Sequence, residues 1–103
     1  MILGPSGQNI YPEEIEAKIS NQHYVAECVV TSRQGKLIAK VFPDFEAMKA
    51  DEVDMGDLPE IMEQNRKALN SELPKYEQII SYEVVSVEFE KTPKKNIKRF
   101  KYV

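Results

Sequence analysis

Few side chains in this 103-residue chain combine the types and spacing that chemistry needs. Two glycines, Gly4 and Gly7, bracket a loop at the start of the stretch GPSGQNIYPEEIE, which runs from Gly4 to Glu16. A G-x-x-G loop permits positive φ and close backbone approach to a ligand, but without a long preceding strand it is a weak phosphate-binding signature. At the other end, KTPKKNIKRFKYV (residues 91–103) collects six of the fourteen Lys and Arg and no acid, whereas all seventeen acids lie at or before Glu90. The net charge of −3 therefore divides into about −9 for the body and +6 for the tail. A basic end on an acidic body suits contact with phosphates or another acidic surface, and equally suits a solvated tail.

Other chemistries lack their parts. His23 and Cys28 are the single residues of their types, too few for a Cys/His metal cluster, so no metal site is expected. His23, flanked by Asn21-Gln22 and Tyr24-Val25, has no Ser or Cys signature beside it and reads as a surface or loop residue. Cys28 has no His or cation close in sequence and reads as a small core residue rather than a reactive thiol. The acidic pairs Glu13-Glu14 and Asp51-Glu52 fit a helix start and a solvated loop better than a catalytic dyad.

The elements that must position these loops are legible in outline. Pro12 suits a first helical turn, Glu13 and Glu14 complement the positive helix end, and Ile15 and Ile19 form one stripe at i and i+4, which predicts a helix from Pro12 to about Ser20. YVAECVVT and KLIAKVF, joined by SRQG, predict a hairpin. Val25, Val29 and Thr31 alternate with Ala26, Cys28 and Val30, so both of its faces are expected to be covered. PDFEAMKADEVDMGD reads as an acidic surface excursion with a turn of helix at Phe45 to Lys49. A second helix follows, with Asp57 as cap, Pro59 in the first turn and Glu60 completing a capping box. Its apolar positions are Leu58, Ile61, Met62, Ala68, Leu69 and Leu73, and Pro74 stops it. QIISYEVVSVEFE is the last strand, with Val85, Val87 and Phe89 on one side. This order specifies an α+β fold, a small sheet including a hairpin with helices laid on it.

The length allows one domain, residues 1–103, and the composition (42% hydrophobic, 30% charged) is that of an ordinary globular protein. No run approaches the roughly 20 apolar residues of a membrane span, no signal peptide is visible, and one cysteine cannot form an internal disulfide, so a cytoplasmic home is the expectation.

The two loops carry a resemblance. GPSGQNIYPEEIE resembles the opening motif of the small C-terminal domain of the adenylate-forming superfamily, whose acyl-CoA synthetases show G-x-N-I-x-P-x-E-I-E; Gly7, Asn9, Ile10, Pro12, Glu14, Ile15 and Glu16 match it. KTPKKNIKRF resembles the last motif of the same domain, with a flavour of long-chain fatty acid CoA ligases in Thr92-Pro93 and Ile97-Lys98-Arg99. The two motifs bracket nearly the whole chain.

The resemblance implies the mobile C-terminal domain of a larger ligase, whose N-terminal domain and preceding hinge lie outside this sequence. Such an enzyme joins a fatty acid to ATP with Mg²⁺, then passes the acyl group from the adenylate to CoA. Its small domain rotates between the half-reactions. The partners so implied are the enzyme's own N-terminal adenylation domain, the fatty acid, ATP and CoA, with no cofactor expected on the isolated chain and no ligase activity from it. The loop of Ser6, Gly7, Gln8 and Asn9 would face the pantetheine arm of CoA. In the closing motif a lysine contacts carboxylate and phosphate during adenylation, and here the sequence departs from the family's T-x-x-G-K-I-x-R. Asn96 stands at the lysine position and Lys95 at the glycine position, and an amide cannot supply the charge. Lys95, or failing it Lys94, is the expected substitute, reached by a one-residue shift of about 3.3 Å. A different class of function is a stand-alone phosphate- or nucleic-acid-binding module using the basic tail, for which the acidic body and the few aromatics, Phe100 and Tyr102, give no wide basic face. A third is an interaction subunit serving a separately encoded large domain.

Overall fold

Prolines and positive-φ residues punctuate the chain into β1 (Ile2–Leu3), β2 (Asn9–Ile10), α1 (Pro12–Ser20), β3 (Val25–Arg33), β4 (Lys36–Pro43), α2 (Phe45–Ala50), a 3₁₀ turn (Met55–Asp57), α3 (Leu58–Asn70), a second 3₁₀ turn (Lys75–Glu77) and β5 (Ile79–Val84). This is a computed structural model, and it describes residues 2–3, 7–94 and 97.

The main sheet is organised by a two-residue turn. Gln34 (φ 53°) and Gly35 (φ 77°) both adopt left-handed dihedrals, which a type I′ hairpin needs so that its twist matches that of the flanking strands. The turn sets the register Arg33↔Lys36, Thr31↔Ile38 and Cys28↔Val41. The third strand, β5, joins β4 in parallel, with Leu37↔Ile79 and Val41↔Val84 paired, giving the order β3-β4-β5. Parallel pairing requires a crossover, which α2 and α3 supply. The entry to β5 is pinned from α3: Ile79 N donates to Asn70 Oδ1 at 2.8 Å, while Asn70 Nδ2 and Arg66 Nη1 donate to Ile79 O.

Register separates the two faces. Cys28, Val30, Ala39 and Val41 join Ile10, Ile15, Ile19, Met62, Leu69 and Ile79 in the main core, so α1 and α3 lie on this face. Val29 (0% exposed), Thr31 (3%) and Ile38 (2%) point the other way and are also buried, so both faces of the hairpin are covered as expected. The simple alternation fails at the start of β3, where the register shift between Val25 and Glu27 puts Val25 in the main core with Cys28 and Val30 and leaves Ala26 exposed. α1 is fastened to the edge strand β3 by Glu16, whose Oε2 accepts from Val30 N at 2.7 Å. Cys28 is buried and donates its thiol to Glu16 O at 3.5 Å, a core residue as expected.

Further sequence expectations change in the second half of the chain. Asp57 has helical dihedrals and makes no side-chain cap bond, because it closes the preceding 3₁₀ turn; Asp54 accepts from Gly56 N there instead, and the capping box does not form. The buried stripe of α3 is Leu58, Met62, Asn65 and Leu69, whereas Ala68 is exposed. The helix ends at Asn70, ahead of Pro74. The last strand stops at Val84, and Val87 is 74% exposed while Phe89 is 3% exposed, so residues 85–90 turn away from simple alternation.

Candidate functional site

The opening loop sits on a miniature hairpin. β1 and β2 pair antiparallel with Ile2↔Ile10 and Leu3↔Asn9, and Gly7 and Gln8 lead directly into β2. Gly7 has φ +83°, and a Cβ built there meets nothing within 4 Å. Glycine is therefore favoured by backbone conformation, and open space lies where a larger residue would project. Gly7 and Asn9 are exposed and Gln8 is half-buried; Ser6 lies outside the described residues. The rest of the motif is anchor. Ile10 and Ile15 are 1% exposed, Pro12 begins the helix, and Glu16 holds it to β3. At the base of the hairpin a cleft of about 150 Å³ is lined by Leu3, Ile10, Ser32, Lys36, Leu37 and Lys75, among others.

The closing motif is held differently. Phe89 is buried, and Lys91 forms an ion pair with Glu27 of β3. Lys91 also bridges antiparallel to Ile97. Lys94, three residues after Lys91, is exposed; Lys95 and Asn96 lie outside the described residues. Glu27 is a residue that sequence reasoning misses, because nothing local distinguishes an acid in a β-rich run from an outward-facing charge. The alternation of β3 after its register shift places it on the same face as Val29, and its Oε1 is buried without a hydrogen-bond partner among the described residues.

The two loops are attached to opposite faces of the sheet and toward opposite ends of β3. The cleft under the opening hairpin reaches Ser32, paired with core-facing Leu37, whereas the closing motif is tied to Glu27 on the other face. Five residues of strand separate these anchors by roughly 16 Å. Among the described residues neither loop brings a nucleophile together with a base. His23 is exposed, and among the described residues no group of three His, Cys, Asp or Glu side chains could hold a metal ion. What the arrangement offers is an exposed glycine at Gly7 and a closing segment tethered at Lys91 that carries the exposed Lys94.

Behind these loops a polar chain ties the helices to the sheet. Tyr82 sits half-buried, and burial pushes its phenol well above the ordinary value, the Cys28 thiol adding to the rise and Arg66 opposing it. Asn65, 8% exposed, donates Nδ2 to His23 O at 3.0 Å and was not foreseen as a core position. Its place seven residues after Leu58 and three after Met62 is the available signal. Among the described residues no helix is long and apolar enough to cross a membrane.

The family described as AMP-binding enzyme C-terminal domain matches residues 1–103. No curated protein matches the chain. Among solved structures, the adenylation domain of a carboxylate reductase from Mycobacterium chelonae is 21% identical with a TM-score of 0.71, covering 97% of this chain and 17% of its own. An acyl-CoA synthetase from Brucella canis is 23% identical with a TM-score of 0.72, covering 97% and 18%. A fatty acyl CoA synthetase from Mycobacterium tuberculosis is 23% identical with a TM-score of 0.59, covering 99% and 19%. At these identities the likeness is one of fold, and the chain spans under a fifth of the length of each of these structures.

Proposed function

The chain belongs to the AMP-binding enzyme C-terminal domain family, and from that premise we propose that it is the mobile C-terminal domain of a long-chain fatty acid CoA ligase. Such an enzyme forms an acyl adenylate from a fatty acid and ATP and passes the acyl group to CoA, with the N-terminal adenylation domain as this chain's partner. The observation that carries the reading is the separation of the two motifs. One is fixed to the helix-bearing face of the sheet and the other to the opposite face, toward the far end of the same strand. A domain so built has to rotate to bring each loop in turn to one active site, which is gating rather than new chemistry.

Each loop has a simple task. In thioester formation the exposed backbone at Gly7, with Ser6, Gln8 and Asn9 beside it, would border the path of the CoA thiol, where a side chain in the open space at Gly7 obstructs it. In adenylation, Lys95, or Lys94 next to it, would place an ammonium where charge develops as pyrophosphate leaves. In a dry site one such group is worth about 3–4 kcal/mol. Mg²⁺ would neutralise the triphosphate in the complete enzyme. No residue of this chain is assigned to the ion, since the described residues bring no set of metal ligands together.

Substituting Lys95→Ala in the enzyme that carries this domain tests the reading. We expect loss of pyrophosphate release with acyl transfer from preformed acyl adenylate retained. Unchanged adenylation in both Lys95→Ala and Lys94→Ala would sink the lysine assignment, and ligase activity in the purified 103-residue chain would overturn the division of labour.

A further inference from the structure

We propose that Glu27 is a positioning residue for adenylation, and that its ion pair with Lys91 fixes the base of the closing loop in the orientation that the reaction uses. The inference rests on the reading of that loop as the adenylation face.

Four features converge on the pair. Glu27 and Lys91 side chains are only 18% and 31% exposed, so the pair is largely desolvated and directional rather than a loose surface contact. Glu27 follows a register irregularity between Val25 and Glu27, and a bulge re-aims the side chains beside it. Phe89, two residues before Lys91, is buried, so the approach to the loop is anchored at both Phe89 and Lys91. Lys91 is also the residue that bridges to Ile97, so whatever holds Lys91 holds the stem of the loop on which Lys94 and Lys95 follow.

Stability alone explains the pair poorly. Glu27 shares its face with the fully buried Val29, and its Oε1 is buried with no hydrogen-bond partner among the described residues. Replacing a buried ion pair by apolar groups of similar volume is often neutral or stabilising, whereas removing one partner is costly. What an apolar pair cannot reproduce is a single preferred direction. A loop delivering a charge to a reacting phosphate needs that direction, because a misplacement near 1 Å can cost on the order of 10²-fold in rate.

The test uses the full enzyme and both half-reactions. In Glu27→Gln we expect adenylation to fall roughly 10- to 100-fold, in kcat rather than in KM for ATP, with acyl transfer from preformed adenylate unchanged. Lys91→Arg should retain adenylation, since a guanidinium keeps the pair. A Glu27→Val, Lys91→Met double variant should keep its thermal midpoint and still lose adenylation, which a merely structural role does not predict. Equal losses in both half-reactions, or wild-type adenylation in Glu27→Gln while Lys95→Ala is impaired, would overturn the positioning role and leave the lysine assignment standing. Wild-type adenylation in Lys94→Ala and Lys95→Ala alike would overturn both.

Discussion

Tyr82 donates its phenolic hydrogen to Gln22 Oε1 at 2.7 Å across 60 positions of sequence, and Gln22 Nε2 passes the connection on to Asn65 O at 2.7 Å. With Asn65 Nδ2 on His23 O, one polar chain joins β5, the end of α1 and the middle of α3. Every buried member of such a chain depends on the others for its partner.

Asn65→Ala should destabilise the domain by about 1–3 kcal/mol, because the His23 carbonyl loses its donor and a void opens beside Met62. Urea denaturation of the chain reads the difference. A change below the error of the fit would show that water replaces the amide.

The Tyr82 phenol adds a pH dependence of defined sign. Its native value is raised, while an unfolded tyrosine ionises near pH 10. Above that pH the native state holds a proton that the unfolded state has released, so stability is fully present below about pH 10 and is lost as pH rises toward the native value. The denaturation midpoint should therefore fall more steeply above about pH 10 in the wild type than in Tyr82→Phe. Tyr24, raised by its hydrogen bond to Asp51, is present in both proteins and cancels in the difference.

Glycines 7 and 35 share a conformation and differ in consequence. A Cβ at either meets nothing within 4 Å, so the cost of alanine is backbone strain alone. Gly35→Ala, in the turn that sets the sheet register, should lower stability by about 1–2 kcal/mol. Gly7→Ala lies in a hairpin of two-residue strands, whose local opening leaves global unfolding nearly unchanged. On the proposed function it should instead slow acyl transfer to CoA and spare adenylation, which paired half-reaction assays distinguish.

Asn96→Lys restores the residue type that the adenylate-forming pattern has at that position. Adenylation should rise, and Lys95→Ala should become harmless in that background. Removing a preorganised donor typically costs about 10²- to 10³-fold, so rescue of a Lys95→Ala defect by Asn96→Lys should be of that order. No rescue would mean that the ammonium reaches the site only from position 95.

Much of this architecture is legible because its signals are local. Pro12 followed by Ile15 and Ile19 defines α1, and the Gln34-Gly35 turn between two β-branched runs defines the hairpin. The features that escape are non-local or competitive. Asp57 looks like a cap until the 3₁₀ turn before it takes its backbone. Ala68 looks like core and Asn65 like surface, yet helix geometry and the His23 carbonyl reverse them. Val87 continues an alternating pattern, but the strand ends once Val85 N has donated to Val41 O at 2.9 Å. Glu27 acquires its meaning from Lys91, near the other end of the chain. For the loops themselves, the structure shows Ile10 and Ile15 buried and Glu16 bonded to β3, while Lys95 and Asn96 rest on the sequence pattern alone.

The parallel pairing of β5 with β4 also sets an order of assembly. The β3–β4 hairpin closes through a two-residue turn, an event of about 1–10 µs. The Leu37↔Ile79 pair instead has to close a segment containing both later helices, a larger loop entropy that is spent before any contact repays it. The hairpin with α1 is then the nucleus and β5 docks late, so Val30→Ala should slow folding while Ile79→Val mainly speeds unfolding. The stem of the closing motif continues from β5, so it is among the last parts of the chain to find its place and the first to leave it.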